Sequence, residues 1–306
     1  MMQSKPSLSS ISKVLKNEAM FYFNSRFIVL VVAFILALIM LVNNDILYII
    51  LFLVALVIEI YVWWFHKKGN EYYRSSREAA KLALLKNSLG KQSGEFNVYI
   101  EKSIKDFYGK FKSKKLIQKA EQLDKDYEKN PYFASNKFPS NLRFLENLHE
   151  NAFFSGNLCQ MSVNWEHKVH KQDLQIFSVL FSMFFLFIIL AIYWNQSLPT
   201  WSVAIIFKII MVFYTIVIYG ELMAISSWET TSDVCHKVEQ RLDEIRKNKL
   251  SNSKDELNLD ILLAALGDYE AAMVNAPPIP KHIWDLNREN LNRQWEERQN
   301  SYKSEV

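Results

Sequence analysis

The 306-residue chain is 50% hydrophobic and 22% charged, with a formal net charge of +4. So small a surplus requires no DNA or RNA partner; anionic lipid headgroups account for it. The averages also exclude an evenly mixed globule, because the apolar residues gather in four stretches almost free of charge while the remainder is heavily charged.

Taken in order, residues 1–10 are Ser-rich and read as disordered. Ile11 to Asn24 suits an amphipathic helix that offers Val14, Leu15 and Phe21–Phe23 to a headgroup region. Residues 1–26 thus form a cytoplasmic amphipathic N-terminal segment. Lys13, Lys16 and Arg26 precede an apolar run as in a signal peptide, but no small-residue cleavage site follows, so the run reads as a retained anchor. Residues 27–65 read as a first hairpin: Phe27 to Val42, a turn at Asn43-Asn44-Asp45, and Ile46 to Phe65. Each arm is close to the about 20 apolar residues that cross a hydrocarbon core as a helix, and helices satisfy their backbone groups internally.

Residues 66–175 read as a helical cytoplasmic insert. A helix over 71–88 carries Ala79, Ala80, Leu82, Ala83 and Leu84, and Gly90 and Gly94 interrupt it. A second helix is expected from Phe96 to about Glu128, with Phe107, Phe111, Leu116 and Leu123 at helical spacing. Asn130-Pro131 stops it, and another helix begins at Asn141. A second hairpin spans 176–224, turning at Asn195 to Pro199. Tyr61, Trp63 and Trp64 and then Tyr193, Trp194 and Trp201 fit aromatic belts. Residues 225–306 form a helical tail. Val234, Val238, Leu242 and Ile245 extend the fourth span, 255–275 forms the most apolar cytoplasmic helix, Pro277-Pro278-Ile279-Pro280 enforces an extended stretch, and a last helix starts near Ile283 with Trp284, Leu291 and Trp295.

The expected fold class is an all-α membrane protein, with four transmembrane helices as two hairpins, a helical cytoplasmic insert and a helical tail. Only Lys208, among 36 Lys and Arg residues, lies within a span. The positive-inside rule then predicts a multi-pass inner-membrane protein with both termini cytoplasmic. Cys159 and Cys235 read as reduced thiols.

The chemistry-bearing motifs are near misses. His149-Glu150 begins a zincin pattern, but Phe153 stands where the second His belongs; Gly90-Lys91 lacks the rest of a phosphate loop; Ser155-Gly156 lacks the first Gly of a nucleophile elbow. His167 and His170, near Glu166 and Asp173, and the Cys235-His236 pair read as solvated faces rather than metal sites. No enzyme, cofactor or metal is expected. Charges within the spans are more telling, since they usually face a bundle interior or a water path. Glu59 and Lys208 are the candidate pore or gating residues, while Glu221 reads as reaching the inner headgroups.

The tail carries a resemblance. Asp268-Tyr269-Glu270 leads through Asn275-Ala276-Pro277-Pro278-Ile279-Pro280 to Ile283-Trp284-Asp285-Leu286-Asn287-Arg288, and Ile117 to Asp124 lies in the insert. This layout resembles the SMODS-associating four-transmembrane effectors of bacterial anti-phage systems. In that family Arg often precedes the proline link, where this chain has Ala271, Ala272 and Met273. The resemblance implies an effector that oligomerises and permeabilises the inner membrane when a cyclic oligonucleotide messenger is sensed. Its implied partners are membrane lipids, further copies of the chain and the messenger. Arg143, Lys168, Arg241, Arg288 and Arg293 are among many basic residues a nucleotide could meet, without an assigned site. The alternative is a non-pore scaffold or sensor that binds a cytoplasmic protein.

Overall fold

A computed structural model describes the backbone over residues 6–39, 45–90, 95–111, 113–127, 138–193, 200–251 and 257–304, and the side chains over 6–25, 57, 60–90, 97–111, 113–125, 138–169, 171, 222–248 and 257–302. The described residues form eight helices and no strand: α1 (Leu8–Ile39), α2 (Asp45–Leu89), α3 (Glu95–Lys110), α4 (Lys114–Tyr127), α5 (Asn141–Tyr193), α6 (Thr200–Ser251), α7 (Leu259–Asn275) and α8 (Lys281–Ser304).

The all-helical expectation holds, with differences at the helix ends. Residues 8–10 are helical rather than disordered. Ser7 caps α1, its Oγ accepting from the Ser10 N–H at 3.2 Å. Asp124 on α4 adds a second cap, accepting from the Ser7 N–H at 2.7 Å and the Ser10 hydroxyl at 2.6 Å. Val14 and Leu15, expected at a headgroup region, are buried. The single helix expected over 96–128 is two, because the chain leaves the helical path between Lys110 and Lys114. The tail helix expected from 255 starts at Leu259, where the Asn258 side chain accepts from the Asp260 N–H at 2.8 Å.

Gly90 ends α2 in the left-handed region at φ 62°. Its N–H donates to the Lys86 carbonyl at 3.1 Å, and a Cβ there would lie 2.5 Å from the Pro139 Cβ. That close approach lets the Ser140 N–H reach the Ser88 carbonyl at 2.8 Å, and Ser140 then caps α5 through the Arg143 N–H at 3.2 Å. The end of α2 and the start of α5 are thereby pinned together.

The chain divides into two compact units. One comprises Met1–Met20, Asn70–Ser162 and Ser227–Val306; the other comprises Phe21–Gly69 and Val163–Ser226. The first unit has two apolar clusters. The larger joins Leu84, Leu85 and Leu89 of α2, Phe144, Leu145, Leu148 and Ala152 of α5, Cys235, Val238 and Leu242 of α6, and Leu262, Ala265, Leu266, Tyr269 and Met273 of α7. These positions recur at three and four residues, so each helix presents one stripe. The smaller joins Leu8, Ile11, Val14 and Leu15 to Ala79, Leu82, Ala83, Phe107, Leu116 and Ala120. In the second unit, Tyr22 meets Trp64 at 5.8 Å, Phe23 meets His66 at 6.1 Å, and the Lys67 amine stands 5.2 Å over an exposed Trp63.

One expectation is corrected. Among the described residues no helix is long and apolar enough to cross a membrane, so the multi-pass inner-membrane placement does not stand. The described side chains of α1, α2, α5 and α6 include their polar lengths, such as Asn141–Val169 and Leu222–Asn248 with their many charges. The apolar stretches on which the spans were expected, 27–65 and 176–224, lie mostly outside the residues with described side chains.

Candidate functional site

Two polar centres are built into the first unit. At the inner one, the Arg77 guanidinium on α2 donates to the Glu270 carboxylate on α7 at 2.8 Å, with both side chains largely buried. Arg77 also stands 5.4 Å over the Tyr269 ring. The Tyr269 hydroxyl meets the Ser155 hydroxyl on α5 at 2.8 Å, and the Tyr73 hydroxyl donates to the Met273 carbonyl at 3.1 Å. The Arg77 Nε is buried without a hydrogen-bond partner.

The electrostatics of this centre oppose nucleophilic chemistry. Burial pushes the Cys159 thiol up to about 12 and raises the Cys235 thiol further. Both thiols are fully buried and stay protonated, and a protonated thiol is a poor nucleophile. Burial raises Tyr73 to about 12 and lifts the Glu270 carboxyl against the pull of Arg77. Burial, followed by repulsion from Arg77, lowers the Lys16 amine to about 8. This arrangement fixes α2 against α7 by a buried ion pair. Such a pair is costly to break, since removing one partner strands the other charge.

The outer centre lies where α8 rests on α5 and α6. Trp295 meets the His149 ring edge-on at 5.2 Å and Phe153 at 5.3 Å. The Arg298 guanidinium donates to the Glu239 carboxylate and lies 3.9 Å from Asp243. The Tyr302 hydroxyl donates to Asp243, and its ring lies 3.9 Å beneath the Arg246 guanidinium. Arg246 in turn donates to Gln299 at 2.9 Å and pairs with Glu146 at 3.5 Å. His149 has no exposed surface, and neither ring nitrogen has a hydrogen-bond partner. Burial, then Arg298 and Arg246, push its imidazole down to about 3, so it is neutral at ordinary pH.

Compared with family models, curated proteins and solved structures, the chain matches none.

The residues singled out in the sequence fall as follows. Glu59 falls on α2 and Lys208 and Glu221 on α6, and all three side chains lie outside the described residues. The side chains of His170 and Asp173 do too. Among the described residues no cluster of His, Cys, Asp and Glu could hold a metal ion. His149 and Phe153, the broken zincin pattern, both lie under Trp295. Gly156 serves a close helix crossing, where the Ser232 hydroxyl donates to its carbonyl at 2.9 Å and a Cβ would lie 3.1 Å from the His236 ring. His236 lies 3.1 Å from Glu239. Of the basic residues named for a nucleotide, Arg241 pairs with Asp268 at 3.6 Å and Arg293 donates to Asn290 at 2.9 Å.

Sequence reasoning missed both centres. Glu270 carried a signal, because it lies four residues after Leu266 on the buried stripe of an apolar helix. The second signal was the spacing of Leu291, Trp295, Arg298 and Tyr302, which places them on one face of α8.

Proposed function

We propose that the chain is a non-catalytic effector of bacterial anti-phage defence, which binds a cyclic oligonucleotide messenger and responds by a change of assembly among copies of itself. The observation that carries this reading is the build of the tail. The segment that holds the resemblance runs as α7, a proline link and α8, and α8 is held on α5 and α6 by Trp295 and Tyr302 together with polar pairs from Arg298, Gln299 and Tyr302. Such an element can have two positions, and a ligand that prefers one of them shifts the population. The deeply protonated thiols favour a binding role over a chemical one. The proposal stops at binding and assembly. A permeabilising step would need membrane spans, and among the described residues no helix qualifies.

A panel of synthetic cyclic di- and trinucleotides tests it, with calorimetry and sedimentation on the full chain. One compound should bind and shift the sedimentation coefficient. No binding by any of them to folded chain would overturn the reading.

A second reading is a scaffold or sensor for a protein partner. It draws on Val98 and Tyr99, which are 68% and 65% exposed side by side on α3. Large apolar side chains left open in pairs suit a protein surface better than a nucleotide.

A further inference from the structure

The proline link and the polar seat of α8 point to a specific way for copies of this chain to assemble. We propose that α8 is an exchangeable strap, which closes over His149 and the α5 and α6 side chains around it in its own chain or over the same residues of a second copy, so that strap exchange builds the oligomer. This deepens the assembly reading above and rests on it.

Three observations carry the inference. First, α8 is lightly anchored. Among its described side chains, only Ile283, Leu291, Trp295 and Tyr302 are buried apolar ones, and Leu286 is 68% exposed. Elements with few buried apolar contacts sit at the low end of local stability.

Second, the seat is imperfect when closed. It buries Glu146, His149, Glu239 and Arg246, and leaves both His149 nitrogens and the Arg246 Nη1 without hydrogen-bond partners. Unmade bonds of this kind weigh against the seated state in either arrangement, so α8 is released more readily than its contact area suggests.

Third, the hinge is defined. The Trp228 indole donates to the Pro277 carbonyl at 3.0 Å, and Pro278 and Ile279 are buried. The link is therefore held as far as Ile279, and proline cannot extend α7 through it. The hinge of the proposed exchange is then the step at Pro280, whose carbonyl accepts from the Ile283 N–H at 3.1 Å as α8 begins.

The second copy is the natural occupant, because the seat accepts α8 by construction. Every contact made within a chain is remade between chains, so the two states differ only in the hinge and in concentration. Charge complementarity fixes the register: Arg298 between Glu239 and Asp243, and Gln299 on Arg246.

Charge reversal tests the exchange without any messenger. Arg298→Glu sets a carboxylate against Glu239, and Glu239→Arg sets a guanidinium against Arg298, so neither variant closes well on itself. Mixed, they can trade straps and pair opposite charges at both seats. Differently tagged preparations should then give at least tenfold more heteromer than either variant alone. The double variant Arg298→Glu/Glu239→Arg should close within one chain again and behave as the native protein. No heteromer from the mixture, with a native-like double variant, would overturn the proposal.

A second pair of variants covers loss of folding in the first. One tagged chain carries Gln299→Cys on α8 and another carries Lys247→Cys on the exposed side of α6. A bismaleimide should join them into a mixed dimer, while the buried Cys159 and Cys235 stay unreactive. Cross-linking only within a chain that carries both cysteines, and never between chains, would also overturn it. Since no nucleotide is present, failure here removes strap exchange and leaves messenger binding to be decided by its own panel.

Discussion

The core shared by α2, α5, α6 and α7 and the seat of α8 lie in the same unit and are held by different physics. The core closes by burial of apolar stripes, with Phe144, Leu145, Leu148, Leu242 and Leu262 fully buried. Its strength is non-directional and roughly proportional to the area removed from water. The seat of α8 adds ion pairs, the Tyr302 hydroxyl and aromatic edges around a buried imidazole to the buried Ile283, Leu291 and Trp295. Such contacts depend on geometry, salt and protonation. The first arrangement suits a permanent scaffold, whereas the second suits a part that opens while the scaffold stays folded.

The contrast breaks most sharply in the core. Phe144→Ala should cost about 3–5 kcal/mol of global stability, read as an earlier midpoint in denaturant for the whole unit. Next comes the buried ion pair. Glu270→Gln strands Arg77 and should cost about 3 kcal/mol, whereas Arg77→Met with Glu270→Leu should regain most of that, since an apolar pair needs no desolvation of charge. A double variant as unstable as the single one would show that the pair is worth more than its burial costs.

The strap should answer differently. Arg298→Ala removes a half-exposed arginine and should cost about 1–2 kcal/mol. The loss should appear as faster proteolysis within α8, with the core midpoint nearly unchanged.

At neutral pH the smallest effect is that of His149, and it grows as the pH falls. Unfolded, His149 titrates near its usual 6.5; folded, it titrates near 3. Between those values the unfolded chain binds the additional proton. Stability is therefore complete above about 6.5 and falls as pH drops towards 3, by up to ~1.4 kcal/mol per pH unit. The titratable and charged groups around His149 are Arg298 and Tyr302 on α8 and Arg246 and Asp243 on α6, with Glu239 and Glu146 behind them as partners of Arg298 and Arg246. His149→Leu keeps the volume and removes the proton site. The native and variant curves should agree at pH 7.5 within about 1 kcal/mol and diverge below 6, the variant being the more acid-resistant. Curves that stay parallel would place the acid sensitivity elsewhere.

Much of the helical layout was legible in the sequence. Gly90 ended a helix because only a left-handed residue without a Cβ fits against Pro139. The stripe of Leu262, Leu266, Tyr269 and Met273 was visible at helical spacing, and the proline run marked the link before α8. The start of α1 was missed because its cap comes partly from Asp124, more than a hundred residues away. The split between α3 and α4 was missed although Gly109 stands one residue before the end of α3, because the apolar spacing of Phe107, Phe111 and Leu116 runs on across it. Arg77 and Glu270 lie 193 residues apart in sequence, and no local pattern announces a pair across two helices. His149 was read only as half of a metal motif, because its neighbours Trp295 and Tyr302 arrive on the last helix.

Native-state hydrogen exchange measures the central claim most directly. The account predicts that amides of α8 exchange through local opening at a free energy well below that of α5, α6 and α7, and that Arg298→Ala lowers the α8 value alone. Protection in α8 equal to that in α7, with both changing together in the variant, would make strap and core one cooperative unit and contradict the account.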